Sequence, residues 1–199
     1  MNIDGKQIVL GCAIILFGTF SIYSDWMTGM TEINPITHIV ETTQVNVSLQ
    51  FICTSIISCN ATQGDLSSTG NLALDLIIVS ICYTGLIILL FIVQGALQKK
   101  CGPRLMLSQV VHRYFGVILC LALMAVAVLK EKSALDDYAE EVAMSGKEYA
   151  SGFIYCIICV VLNIVIGFCN TGELIVLCMV EKPDDQTQTQ PLIGTPSAV

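Results

Sequence analysis

The sequence predicts an all-α membrane protein, a four-transmembrane-helix bundle with a small extracellular β-sheet in its first loop. Three observations carry that prediction. Four long apolar segments divide the 199 residues, at 8–26, 72–97, 110–129 and 151–180. Two glycosylation sequons, Asn46-Val47-Ser48 and Asn60-Ala61-Thr62, both fall between the first segment and the second. Within that same loop, residues 44–53 alternate apolar and polar side chains.

Each apolar segment is long enough for a hydrocarbon core of about 30 Å, which takes about 20 helical residues. Hydrophobic residues make up 54% of the chain and charged residues only 13%, which leaves no soluble domain of useful size. The apolar composition makes membrane lipid the surrounding, and a net charge of −7 argues against nucleic acid as a partner. A used sequon faces the lumen or the cell exterior, so Asn46 and Asn60 place the first loop outside and both termini in the cytosol. Asn34 is followed by Pro35 and is disqualified. The basic residues agree. Lys6, Lys99, Lys100, Arg104, Arg113 and Lys182 fall on the cytosolic side, against Lys130, Lys132 and Lys147 outside. Residues 1–182 therefore read as a four-pass plasma-membrane domain with exterior loops at 27–71 and 130–150. Residues 183–199 read as a disordered cytosolic tail.

The first segment has a second reading, a cleaved signal peptide. Lys6 would be its n-region, residues 8–20 its h-region and residues 21–24 its small residues. The apolar run continues to Trp26 and Met27, which favours an anchor with Trp26 at the interface. In the loop that follows, Val45, Val47, Leu49, Phe51 and Cys53 fall on one side. Asn46, Ser48, Gln50 and Ile52 fall on the other. This alternation predicts one strand with a buried face, and residues 36–42 form a weaker strand candidate beside it. Cys53 and Cys59 are the only cysteines in the exterior loops, with five residues between them, and are expected to form a disulfide.

A resemblance follows from these residues. Ser48-Leu49-Gln50-Phe51-Ile52-Cys53, followed by Cys59, resembles the first-loop signature of claudins and of the related peripheral-myelin, clarin and glutamate-receptor-auxiliary proteins. Those are four-pass chains with a Gly-Leu-Trp-x-x-Cys motif and a second Cys some residues on. Here Ser48 and Gln50 stand where that motif has Gly and Trp, and the cysteine spacing is shorter. The resemblance implies a non-enzymatic protein that organises a cell junction, an adhesion site or a receptor/channel complex. Its partner would be a channel, receptor or adhesion protein, with homo-oligomers also expected.

In the second exterior loop, Ser133 is a candidate N-cap with Asp136 three residues on. Leu135, Tyr138, Ala139 and Val142 recur at helical spacing, and Gly146 is placed to end that helix. The third segment is thereby expected to project beyond the bilayer. Arg113 and Glu173 are candidates for an intramembrane pair, since each lies inside a segment near its cytosolic end. Asn163, Gly167 and Asn170 form a small and polar stripe suited to helix packing.

Cys156-Ile157-Ile158-Cys159 gives the alternative function. With Cys53 and Cys59 as a shuttle pair, the layout resembles vitamin K epoxide reductase and implies a membrane thiol-disulfide oxidoreductase. Val160-Val161-Leu162 follow the motif where that family carries Thr and Tyr. Cys12, Cys82, Cys120, Cys169 and Cys178 show cysteine serving as a small apolar residue here. No catalytic set, cofactor loop or metal-ligand spacing is evident, and His38 and His112 have no ligand companions. The chain ends Ser197-Ala198-Val199, a pattern that can add as a strand to a PDZ scaffold. Cys101 and Cys178 are palmitoylation candidates.

Overall fold

The computed structural model describes residues 3–33, 35, 36, 38, 40–54, 58–97 and 103–180. It contains four long helices, α1 (Ile3–Tyr23), α2 (Gly64–Leu97), α3 (Pro103–Glu141) and α4 (Ser151–Val180). All four are long and apolar enough to cross a membrane. Each buries one stripe at spacings of three and four. On α1 the stripe is Gln7, Gly11, Ile14, Gly18 and Ser21. On α2 it runs Ala73, Ile77, Ser80, Thr84, Ile87 and Phe91. On α3 it runs Arg113, Val117, Cys120, Met124, Ala127, Glu131 and Leu135, and on α4 Cys156, Cys159, Asn163, Ile166 and Asn170. Such spacings, near the helical repeat, keep one narrow seam of each helix on its neighbours. Neighbouring helices run antiparallel. α1 packs on α2 and α4, and α3 packs on the same two.

At one end of the bundle sits a five-stranded antiparallel sheet. Its strands are β1 (Met27–Ile33), β2 (Val40–Val47), β3 (Phe51–Thr54), β4 (Ser58–Ala61) and β5 (Ser145–Tyr149). Their order is β4-β3-β2-β1-β5. Met27, Val45, Val47 and Leu49 are buried on the bundle side. Gly70 of α2 approaches the Leu49 carbonyl so closely that a β-carbon would collide with backbone.

Several sequence expectations are corrected here. Residues 44–53 are not one strand. A turn at residues 48–50 divides them into β2 and β3, with Ser48 bonded to Phe51 through backbone and hydroxyl. The turn resets the alternation. Val45, Val47 and Leu49 are buried as expected, but Phe51 is 49% exposed. Cys53 pairs with Asn46, on the opposite face from Val47. The weaker candidate at 36–42 becomes a strand only from Val40.

The sheet is also not confined to the first loop. β5 comes from the second and pairs with β1, joining Met27 to Tyr149 and Thr28 to Glu148. Ser133 is no N-cap, because α3 continues through it to Glu141. Gly146 does not end that helix either. Ala143 does, at φ 49°, with the Ala143 amide bonded to the Glu140 carbonyl and the Met144 amide to the Ala139 carbonyl. Trp26 is not an interfacial anchor, for it is fully buried.

Candidate functional site

Two sites stand at opposite ends of the bundle. The first is the outer face of the sheet. Strand registers place Glu148, Thr28, Asn46, Cys53 and Cys59 in one cross-strand row, from β5 to β4. Side chains in such a row share a face. Cys53 and Cys59 are bridged across the β3–β4 hairpin, with Cα atoms 4.1 Å apart. That closeness fits a directly opposed antiparallel pair. Asn46 stands beside Cys53 in the middle of the row, half-buried, with its Oδ1 enclosed. Asn60 falls in the neighbouring row, opposite Ile52, and is exposed because β4 is an edge strand.

Trp26 fixes this sheet to the helices. Its amide donates to the Val47 carbonyl at 2.7 Å, and its carbonyl accepts from the Ala150 amide at 2.9 Å. Its indole Nε1 donates to the Ser21 carbonyl at 2.8 Å. Its ring meets Phe153 edge-on at 5.9 Å, and Tyr149 stacks on Phe153 at 4.4 Å. Gly152 must be glycine here, since a β-carbon would stand 2.6 Å from Trp26 Cδ1 and 2.8 Å from the Asp25 carbonyl oxygen.

One further network ties β5 to α3. Asp136 accepts from Lys132 at 2.8 Å, from Lys147 at 3.1 Å and from the Tyr149 hydroxyl at 2.8 Å. Burial first, then the bond to Asp136, holds the Tyr149 hydroxyl above its ordinary range, so it remains a donor.

The disulfide should matter to this end more than its size suggests. It closes a short loop, worth about 2–3 kcal/mol of stability. Either Cys53→Ser or Cys59→Ser is expected to lower surface delivery of the expressed protein. Normal surface levels for both variants would refute a structural role for the bridge.

The second site is a buried polar knot at the other end. Arg113 of α3 is 1% exposed and its Nη2 lies 3.4 Å from Glu173 Oε2 of α4. The other carboxylate oxygen, Oε1, accepts from Gln7 Nε2 of α1 at 3.0 Å. The guanidinium carbon sits 4.0 Å from the centre of the Phe91 ring of α2. All four helices thus contribute one side chain. The contact of cation with ring adds a favourable term to the ion pair where both are desolvated. Above the knot, Gln7, Thr84, Phe91 and Asn163 line a cavity of about 10 Å³.

The Arg113–Glu173 contact was expected from the sequence, but Gln7, Phe91 and the burial of Trp26 were not. For Gln7 a signal existed, since it continues the three-four stripe of Gly11, Ile14, Gly18 and Ser21. Cys156 and Cys159 are in the packed core. The Cys156 thiol meets Met124 Sδ at 3.9 Å, and the Cys159 thiol meets the Ile14 carbonyl at 3.4 Å. Asn163 and Asn170 are buried, whereas Gly167 is only half-buried. His38 and His112 are exposed, and no cluster of metal-ligating side chains occurs among the described residues. Cys178 lies on α4, while Cys101 and the tail residues Ser197, Ala198 and Val199 fall outside the described residues.

No family model matches this chain, and no curated protein sequence matches it.

Proposed function

We propose that this chain is a non-enzymatic four-pass membrane protein, claudin-like in layout, that organises a junction, adhesion site or receptor/channel complex. One observation carries the reading. Strands from both loops form a single sheet that Trp26 bonds to the helical bundle. Such a platform suits presentation of a fixed surface better than it suits chemistry. On its outer side Met30 and Phe51 are each about half exposed, which gives a partner apolar area to bury.

In this reading the sheet is extracellular at the plasma membrane, both termini are cytosolic, and glycans sit on Asn46 and Asn60. The Arg113–Glu173 pair lies in the cytosolic leaflet, where the basic loop residues keep it oriented. The tail residues Ser197, Ala198 and Val199 engage a PDZ scaffold inside the cell.

The test combines topology with assembly. Glycosidase treatment of the cell-expressed protein should shift its band, and joint Asn46→Gln and Asn60→Gln changes should abolish the shift. Mild-detergent purification from the native membrane should bring down a second membrane protein at fixed stoichiometry. Met30→Asp with Phe51→Asp should release that protein and leave the glycans in place. A band that does not move, together with a tail tag accessible from outside, would overturn the topology. Purification of the intact protein alone would overturn the assembly role.

A further inference from the structure

We propose that the outward face of α2 around Asp75 docks a membrane-spanning helix of a second protein, one that carries a lysine or arginine near the sheet-side end of its span. This deepens the function proposed above and rests on the helices crossing a bilayer.

The chain turns inward its other acid within an apolar segment, Glu173, and the acid just past the third segment, Glu131. Glu173 bonds to Arg113 and Gln7, and Glu131 is fully buried. Asp75 is exposed, on the face that α2 turns away from its buried stripe. Its neighbours along that face are Leu72, Val79, Cys82, Leu86 and Leu89, all exposed. A carboxylate amid such side chains favours water, a headgroup or a cation over hydrocarbon.

Depth decides among these. Ser80 Oγ lies 3.5 Å from the Cys120 carbonyl oxygen, so the antiparallel helices α2 and α3 are level there. Five residues toward the sheet, Asp75 is level with residue 125 of α3. Exposed apolar side chains continue beyond that level, with Leu72 on α2 and Val126 and Leu129 on α3. At a rise of 1.5 Å per residue, the apolar belt extends about 5–6 Å past Asp75. An aspartate has a short stem and cannot reach that far, unlike a lysine or arginine.

Charge identifies the occupant. Among the described residues Asp75 has no ion-pair partner, and the three pairs are Arg113–Glu173, Lys132–Asp136 and Lys147–Asp136. Lys130 lies on α3 about five residues, or about 7.5 Å, beyond the level of Asp75. A second copy docked α2 to α2 would bring one Asp75 against another, with like charges opposed. A basic residue on a partner helix removes both costs. Val79, Leu86 and Leu89 supply the apolar ridge against which that helix packs.

The experiment uses the full chain in phosphatidylcholine vesicles. The probe is a labelled Leu/Ala helix of one span with a single Lys one turn from the sheet-side end. Matched probes carry Leu or Glu at that position. By energy transfer, the Lys probe should associate about 3- to 30-fold more tightly than the Leu probe. Asp75→Leu should erase that preference, and Asp75→Lys should transfer it to the Glu probe. Both variants are at an exposed position and should keep the wild-type unfolding midpoint.

Equal association of Lys and Leu probes with the wild-type protein would overturn the proposal. So would a preference that survives Asp75→Leu, or self-association without probe that Asp75→Leu changes. Failure of the protein to insert into the vesicles would overturn the four-pass reading as well. An inserted protein with no probe preference would sink the docking surface alone.

Discussion

Glu173→Leu is expected to destabilise the folded protein by about 3–5 kcal/mol, the cost of removing one member of a buried ion pair. Arg113 is 1% exposed and cannot rotate into solvent from where it lies. Phe91 holds the guanidinium on one side, and the ring cannot replace a carboxylate. The variant also removes the acceptor of Gln7 Nε2, so α1 loses that hydrogen bond to α4. Glu173→Gln keeps an acceptor for Gln7 and should cost less. The diagnostic variant is the double change Arg113→Met with Glu173→Leu. Replacing both members of a buried pair by apolar residues is often neutral. The double variant should therefore recover most of the loss in a detergent unfolding series. If single and double variants all unfold at the wild-type midpoint, the knot contributes nothing to stability.

Trp26→Ala should cost a similar amount, about 3–5 kcal/mol, through the cavity left by a fully buried indole. Its effect differs in kind. Trp26 lies between the end of α1, the β1–β2 pair and the start of α4. Its removal loosens the sheet from the helices rather than the helices from one another. Limited proteolysis should therefore cut within residues 27–71 while the helical fragments stay together. Trp26→Phe keeps most of the packing and gives up the bond to the Ser21 carbonyl, leaving that acceptor buried. It should cost about 1–3 kcal/mol. A sheet that resists protease equally well in all three proteins would show that Trp26 is not the joint.

How much of this was legible depends on whether the cause was local. The helices were, because their apolar runs are set by their own residues and by length. The Arg113–Glu173 pair was, because each residue can be counted in from the same end of its segment. The sheet was legible only in part. β5 reads Ser-Gly-Lys-Glu-Tyr, with no apolar alternation, and it is a strand because β1 offers it an edge. β2 and β3 merged into one expected strand because apolar residues continue at period two through the turn at 48–50. Trp26 looked like an interfacial anchor because its burial comes from Phe153 and Gly152, more than 120 residues away. The network at Asp136 was hidden for the same reason, since Lys147 and Tyr149 come from beyond the end of α3.

The pairing of β5 with β1 has a practical consequence for anyone exchanging parts between proteins of this layout. The two loops are one graftable unit and not two. A transplanted first loop arrives with an open edge at β1, and the host's second loop must supply a strand of matching register to close it. Gly29 tightens that requirement, because Met144 packs against the place where a β-carbon would stand. Chimeras that move residues 27–61 and 142–150 together preserve the seam. Chimeras that move either alone test the host's ability to re-form it, and an antibody raised against one loop as a linear peptide would not meet that surface in the folded protein.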